Sequence, residues 1–368
     1  MDFVNESKVE AGWTLGFEPD GRELLIVAVK ATFLIPKDGE EASLAEEQVP
    51  LTEADEFTGE PGLSAVLHET DYAHRKPYCD VLLNGSAYAP GGKPADLVQV
   101  ALQVGKMYKS FNVVDDRVWD AFMGKSIITL PVKFVIKKVS YDVAYGGVDI
   151  DKEEPGIQKT YLHNPVGVGY YPISEGKDLY GKPLPNTEEI GRAATGIAGD
   201  YKPMSFGPIG RNFISRYPFA GTYDQNWLDT RAPFWPDDFD YRYFQSAPAE
   251  QQIPHPTGGE EIVLNNLTPY GVTRFRLPKM YMPVLFIPYR GENRQVEAVI
   301  DTILIEPDQN RFMVTWRVSI PLRRNCFELR QVIVGERPLQ WYRRRRAEAG
   351  GKVYYRSLSE FIKVKKGS

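Results

Sequence analysis

The sequence predicts a mainly β protein, with antiparallel, sandwich-like sheets, a long ordered irregular insertion rich in Gly, Pro and aromatics, and few short helices. Three observations predict this class. Glycine and proline, 32 and 28 of 368 residues, make up about a sixth of the chain, above the ~12% background of ordinary proteins. Several runs alternate apolar and polar residues with period two, as half-buried strands do. Helical periodicity is scarce. The apolar fraction of 42% and charged fraction of 25% are those of a folded globular chain.

The N-terminal region, 1–145, reads as strands. Arg22–Ile35 contains Leu24-Leu25-Ile26-Val27-Ala28-Val29, apolar on both faces, as a strand buried on two sides is. Tyr78–Tyr88 is the next candidate, followed by the turn Ala89-Pro90-Gly91-Gly92-Lys93-Pro94, where proline presets φ and glycine supplies positive φ. Beyond it, Val98, Val100, Leu102 and Val104 share one face, and Leu97, Gln99, Ala101 and Gln103 the other. A Gly105-Lys106 turn then leads into Met107–Val114, a strand–turn–strand signature of a meander or sandwich. Ile127–Ile136 and Lys137–Tyr145 complete the region.

Region 146–260 changes character. It is dense in Gly, Pro, Asn and Tyr and lacks apolar periodicity through Tyr217. The rings of Tyr161, Tyr170, Tyr171, Tyr180, Tyr201, Phe206 and Phe213 give it something to bury, so it is expected to be ordered rather than disordered. One helix is expected over Tyr223–Thr230, with Thr222 as N-cap and Asp224 near the positive end of the dipole. Strands return over 261–322 in a region expected to pack on the first: Glu261–Leu264, Val272–Leu277, Val284–Pro288, Glu297–Glu306 and Phe312–Ile320. In the last, Phe312, Val314, Trp316, Val318 and Ile320 face one way, and Met313, Thr315, Arg317 and Ser319 the other. Segment 323–368 is basic and holds a short helix candidate, Ser359–Lys366.

Several function classes drop out. No apolar run approaches the ~20 residues of a membrane-spanning helix, so no membrane partner is expected. Met1-Asp2-Phe3-Val4-Asn5-Glu6 has no basic and apolar leader pattern. Two cysteines, Cys79 and Cys326, exclude a disulfide scaffold and fit a reducing cytoplasm. The net charge of −5 is uneven: 13 Lys/Arg and 4 Asp/Glu lie between Pro321 and Ser368, while Asp38–Glu60 holds nine acids and no base. Arg343-Arg344-Arg345-Arg346 is the densest basic run, an electrostatic docking candidate for an acidic partner. An acidic body with no recognised nucleic-acid motif argues against nucleic-acid binding.

No catalytic residues are expected. No Gly-x-Ser-x-Gly elbow is present, and His68, His74, His163 and His255 read as structural or surface histidines. His68 and His74 are six apart, which fits no zinc pattern. Asp237-Asp238-Phe239-Asp240 after Pro236 lacks the glycine and terminal glutamate of a calcium loop. It reads as a turn whose side chains bond the nearby backbone. Asn164-Pro165-Val166-Gly167-Val168-Gly169 and Gly207-Pro208-Ile209-Gly210 neither follow a strand nor open a helix, as a phosphate loop does. No cofactor and no metal are therefore expected. An enzyme alternative rests on Asp237, Asp238 and Asp240 beside many aromatics, a combination suited to cell-wall glycan.

One resemblance spans nearly nine-tenths of the chain. Lys76-Pro77-Tyr78-Cys79-Asp80-Val81, Tyr141-Asp142-Val143-Ala144-Tyr145-Gly146-Gly147 and Asn164–Tyr170 resemble blocks of the bacterial family known as domain of unknown function 2169. Leu184–Glu188, Phe206-Gly207-Pro208-Ile209, Tyr223–Leu228, Arg231-Ala232-Pro233 and Pro236–Asp240 follow in order. Phe244-Gln245-Ser246-Ala247-Pro248, Gly258-Gly259-Glu260, Asp301-Thr302 and Trp316-Arg317 complete the series. Val143, Tyr145 and Val168 stand where the family tends to carry Arg, Phe and Arg. The resemblance implies a setting: cytoplasmic, non-enzymatic adaptors or chaperones of the type VI secretion system. Such proteins hold a toxic effector and help load it onto the spike of valine–glycine-repeat protein and its Pro-Ala-Ala-Arg tip. Partner anchors are then expected among Tyr145, Tyr170, Phe206, Trp227, Phe234 and Trp235, together with Arg343, Arg344, Arg345 and Arg346.

Overall fold

The run that is apolar on both faces forms a twelve-residue strand, Glu23–Leu34, buried along nearly its whole length. It lies between Arg311–Pro321 and Glu10–Phe17 in a six-stranded sheet, in the order Gln252–Ile253, Cys79–Leu83, Val299–Glu306, Arg311–Pro321, Glu23–Leu34, Glu10–Phe17. Neighbours are antiparallel except Cys79–Leu83 and Val299–Glu306, which run parallel. A five-stranded sheet follows the order Thr187–Glu188, Met107–Val114, Leu97–Val104, Glu261–Asn265, Val272–Arg276. Phe275 of this sheet meets Phe312 of the first, ring centroids 5.0 Å apart, and Phe33 stacks on Phe312. The two inner faces thus form a sandwich core, at the depth where alternating strands place their apolar residues.

The structure, a computed structural model, describes residues 1–37 and 40–337 and the single positions 341, 343, 353, 355, 362 and 365. The helix candidate Ser359–Lys366 falls outside the described residues except at Ile362 and Lys365. The chain divides into two units. The larger comprises Val9–Met280 and Ala298–Glu328 and contains both sheets of the sandwich. The smaller comprises Met1–Lys8, Tyr281–Glu297 and Leu329–Ser368. Its four-stranded sheet runs Asp2–Asn5, Leu329–Val334, Pro283–Pro288, Arg294–Glu297, around Leu285, Ile287 and Ile333. The strand expected at Val284–Pro288 therefore belongs to this second unit.

The fold is mainly β, as expected, and its differences from expectation are local. Ile127–Ile136 is not one strand. Trp119–Phe122 pairs with Lys125–Ile128 across Met123 and Gly124, both at positive φ, and a separate strand begins at Ile136. Positive φ at both turn residues is what a two-residue hairpin demands, and Pro131 removes a ladder donor from the apolar run between. The helix is Gln225–Thr230, capped by Asp224, whose carboxylate accepts from the Trp227 N–H at 2.8 Å. Thr222, the expected cap, instead donates to Asp238. The polar face of Arg311–Pro321 is buried like its apolar face.

Candidate functional site

Register aligns a polar row across the outer face of the six-stranded sheet. Asp80 lies opposite Thr302, Thr302 opposite Thr315, and Thr315 opposite Lys30. A bulge between Ile300 and Thr302 brings Asp301 to the same face as Thr302, since an extra residue re-aims the side chain it inserts. Irregular chain covers this face, and charge pairs fill the space between. Lys30 Nζ donates to Asp71 Oδ2 at 2.8 Å, and the Thr315 hydroxyl donates to the other oxygen of Asp71. Lys76 Nζ donates to Asp80 Oδ2 at 2.7 Å and to Thr302 Oγ1 at 3.0 Å. Gln245 Nε2 and the Ser246 N–H complete Asp80, at 2.6 and 2.8 Å. Arg317 forks onto both Asp301 oxygens and donates to the Asp71 and Ala73 carbonyls.

These groups are almost wholly removed from solvent: Asp80 is 0% exposed, Asp301 1% and Arg317 4%. Burial alone lowers the Lys76 ammonium pKa, but Asp80, Asp301 and Glu69 outweigh it and raise the value above the ordinary one. Arg317 follows the same logic, with Asp301 the main opposing charge. Glu69 is the mirror case: burial raises it, and Arg216, Lys76 and Arg211 hold it below the usual carboxylate range. Arg216, fully buried, donates to Glu69 and to the Ile209 and Tyr243 carbonyls. A cavity among these pairs measures about 30 Å³, room for a water or two. At the far end of the face, His68 bridges Glu56 and Glu306 at 2.7 Å each, and Arg311 closes on Glu306.

The glycine-rich strings form a backbone clasp rather than a phosphate loop. Tyr145–Gly146 pairs in parallel with Val168–Gly169. Asn164, fully buried, donates from Nδ2 to the Tyr141 and Tyr145 carbonyls. At Gly146 φ is +150°, and a Cβ there would lie 2.1 Å from the Asn164 carbonyl oxygen. Only glycine fits such an approach.

The expected anchors separate into three places. Tyr145 and Phe206 are 1% and 0% exposed, so in this conformation they serve the interior: Tyr145 donates to the Gly199 carbonyl, and Phe206 packs on Phe111. Tyr170, half-buried, lies edge-on to Tyr145. Trp227, Phe234 and Trp235 do gather. Trp227 Nε1 donates to the Phe234 carbonyl, Phe234 packs on Phe17, and Trp235 Nε1 donates to the Phe17 carbonyl. Phe234 keeps an exposed face, and the two tryptophans are half-buried. Arg343 is exposed and helical; Arg344, Arg345 and Arg346 fall outside the described residues. The three carboxylates near Pro236 hold different elements. Asp237 pairs with Arg231, Asp238 accepts from Thr222, and Asp240 caps Tyr241–Phe244.

Sequence reasoning missed a run of exposed apolar side chains. Phe122 (59%), Met123 (88%), Leu130 (88%), Val132 (65%) and Ile136 (56%) all stand in solvent. Lys125, Lys133 and Lys138, also exposed, form no ion pair with described residues. The signal was present: Gly124 and Pro131 interrupt the run that reads as one strand. Inwardly, Trp119 and Ile128 anchor the hairpin on Tyr171, Leu179 and Leu184.

A mainly β scaffold whose motif residues lock its own interior is what these observations define. Residues 20–317 match a family described as an uncharacterized protein conserved in bacteria, domain of unknown function 2169. The chain belongs to that family. No curated protein and no solved structure matches it.

Proposed function

We propose that the chain is a non-enzymatic adaptor or chaperone of type VI secretion, acting in the cytoplasm to bind a toxic effector and help load it onto the spike. One observation carries the reading: the polar side chains of the family strings bond one another. Lys76, Asp80, Gln245, Ser246, Asp301 and Arg317 form internal bonds on one buried face. Bonded in this way, they support a scaffold role. The exposed apolar side chains around Phe122–Ile136 support a protein-binding role, since such patches mark interaction surfaces. Co-purification with a neighbouring effector or spike-tip protein tests the reading. Retention of such a component, and loss of effector delivery on deletion of the gene, are expected. Failure of both overturns it. Cleavage of peptidoglycan fragments by the purified protein, abolished by Asp238→Asn, establishes the glycan-acting enzyme instead.

A further inference from the structure

The five-stranded sheet ends at Val272–Arg276, which pairs on one side only, with Glu261–Asn265. Its hydrogen-bond phase follows from two flanking bonds, Asn266 N–H to the Gly271 carbonyl and Leu277 N–H to the Glu260 carbonyl. That phase turns the N–H and C=O of Thr273 and Phe275 toward the partner strand and those of Arg274 and Arg276 outward. Among the described residues, the outward main-chain groups of Arg274 and Arg276 meet no partner. Side chains alternate as well: Thr273 and Phe275 are buried, while Val272, Arg274 and Arg276 are exposed.

Two cavities flank this edge, of about 710 and 670 Å³, and both are bordered by Glu40 and Glu41. The first runs along Arg274, Arg276 and Lys279. The second offers an apolar wall of Leu34, Ile35 and Pro269. Among the described residues, Arg274 pairs with Glu261 at 3.9 Å, a weak contact that leaves its charge largely free for a partner.

We propose that this edge receives an extended segment of a partner protein, added as a sixth strand, with acidic residues alternating with apolar ones. Main-chain bonds at Arg274 and Arg276 hold such a strand. Its acids lie across from the two arginines, and its apolar residues face Leu34, Ile35 and Pro269. A second copy of the same edge is disfavoured, because antiparallel self-pairing sets arginine against arginine. A uniformly acidic segment is disfavoured too, because Glu40 and Glu41 stand on the other wall. The inference rests on the edge itself and not on the secretion role.

The test uses the full chain and a fluorescein-labelled, end-capped peptide of alternating Glu and Val. A Lys–Val counterpart and a Glu–Val peptide N-methylated at alternate residues serve as controls. Anisotropy is expected to show saturable binding of Glu–Val alone. Arg274→Pro blocks an outward N–H that the sheet does not use, and Arg274→Glu with Arg276→Glu reverses the charge. Each is expected to weaken binding by about tenfold or more with the thermal midpoint unchanged. No binding of Glu–Val, equal binding of a control, or equal binding by both variants overturns the proposal. Self-association in sedimentation that Arg274→Pro abolishes also overturns it, by giving the edge to a second copy.

Discussion

The outer face of the six-stranded sheet and the hairpin region 119–136 use their side chains in opposite ways. On the sheet face, charged groups lie inside and pair with each other. Around the hairpin, Trp119 and Ile128 pack inward, while Phe122, Met123, Leu130 and Val132 stand in solvent. Four of the strings that carry the family resemblance meet in the first region: Lys76–Val81, Phe244–Pro248, Asp301-Thr302 and Trp316-Arg317. None of them falls within the second. These four strings supply buried structural bonds, and the proposed partner surface lies outside them.

Mutations should separate the two regions sharply. The largest effect is expected from Asp301→Ala, which strands the buried Arg317 guanidinium and should cost about 3–5 kcal/mol in urea unfolding. A loss below about 1 kcal/mol would show that the network is not structurally required. Gly146→Ala forces a Cβ onto the Asn164 carbonyl at a backbone angle that other residues avoid, and about 2 kcal/mol or more is expected. An unchanged midpoint would mean that the clasp opens without cost.

His68 gives a smaller, pH-dependent effect. Burial lowers its pKa, but its bonds to Glu306 and Glu56 outweigh burial and leave it raised. A raised folded pKa means that the stabilisation is complete below the unfolded value, near 6.5, and is lost as pH rises through the folded one. Glu306 is depressed: burial raises it, and His68 and Arg311 outweigh burial. Its contribution fades only as pH falls through its own lowered value. The stability gap between wild type and His68→Gln should therefore narrow from pH 6 to pH 9; a gap that widens contradicts the bridge. The smallest stability effect belongs to the hairpin region. Phe122→Ser, Met123→Ser and Leu130→Ser should each stay within about 0.5 kcal/mol of wild type.

Periodicity exposed the strands that alternate cleanly. Leu97–Val104 and Met107–Val114 were legible because one face is apolar and the other is not. Arg311–Pro321 was legible as a strand but misleading about exposure. Met313, Thr315, Arg317 and Ser319 look like a solvent face, yet their partners Asp71, His74 and Asp301 come from remote segments that periodicity cannot pair. Lys30 within an apolar run was the clue that a buried carboxylate awaited it. The hairpin was hidden for the reverse reason: an apolar run reads as buried, and only Gly124 and Pro131 said otherwise. The clasp around Asn164 shows in the sequence only as glycine spacing, because the contact that requires glycine lies between strings some twenty residues apart.

The proposed adaptor role makes the interior a scaffold and the exposed apolar surface the part that meets a protein partner. Its most direct test is co-purification of the neighbouring effector or spike-tip protein with wild type and with a Phe122→Ser, Met123→Ser, Leu130→Ser triple variant. Wild type is expected to retain the partner, and the variant to keep its thermal midpoint while losing it. Full retention of the partner by the folded triple variant would contradict the claim.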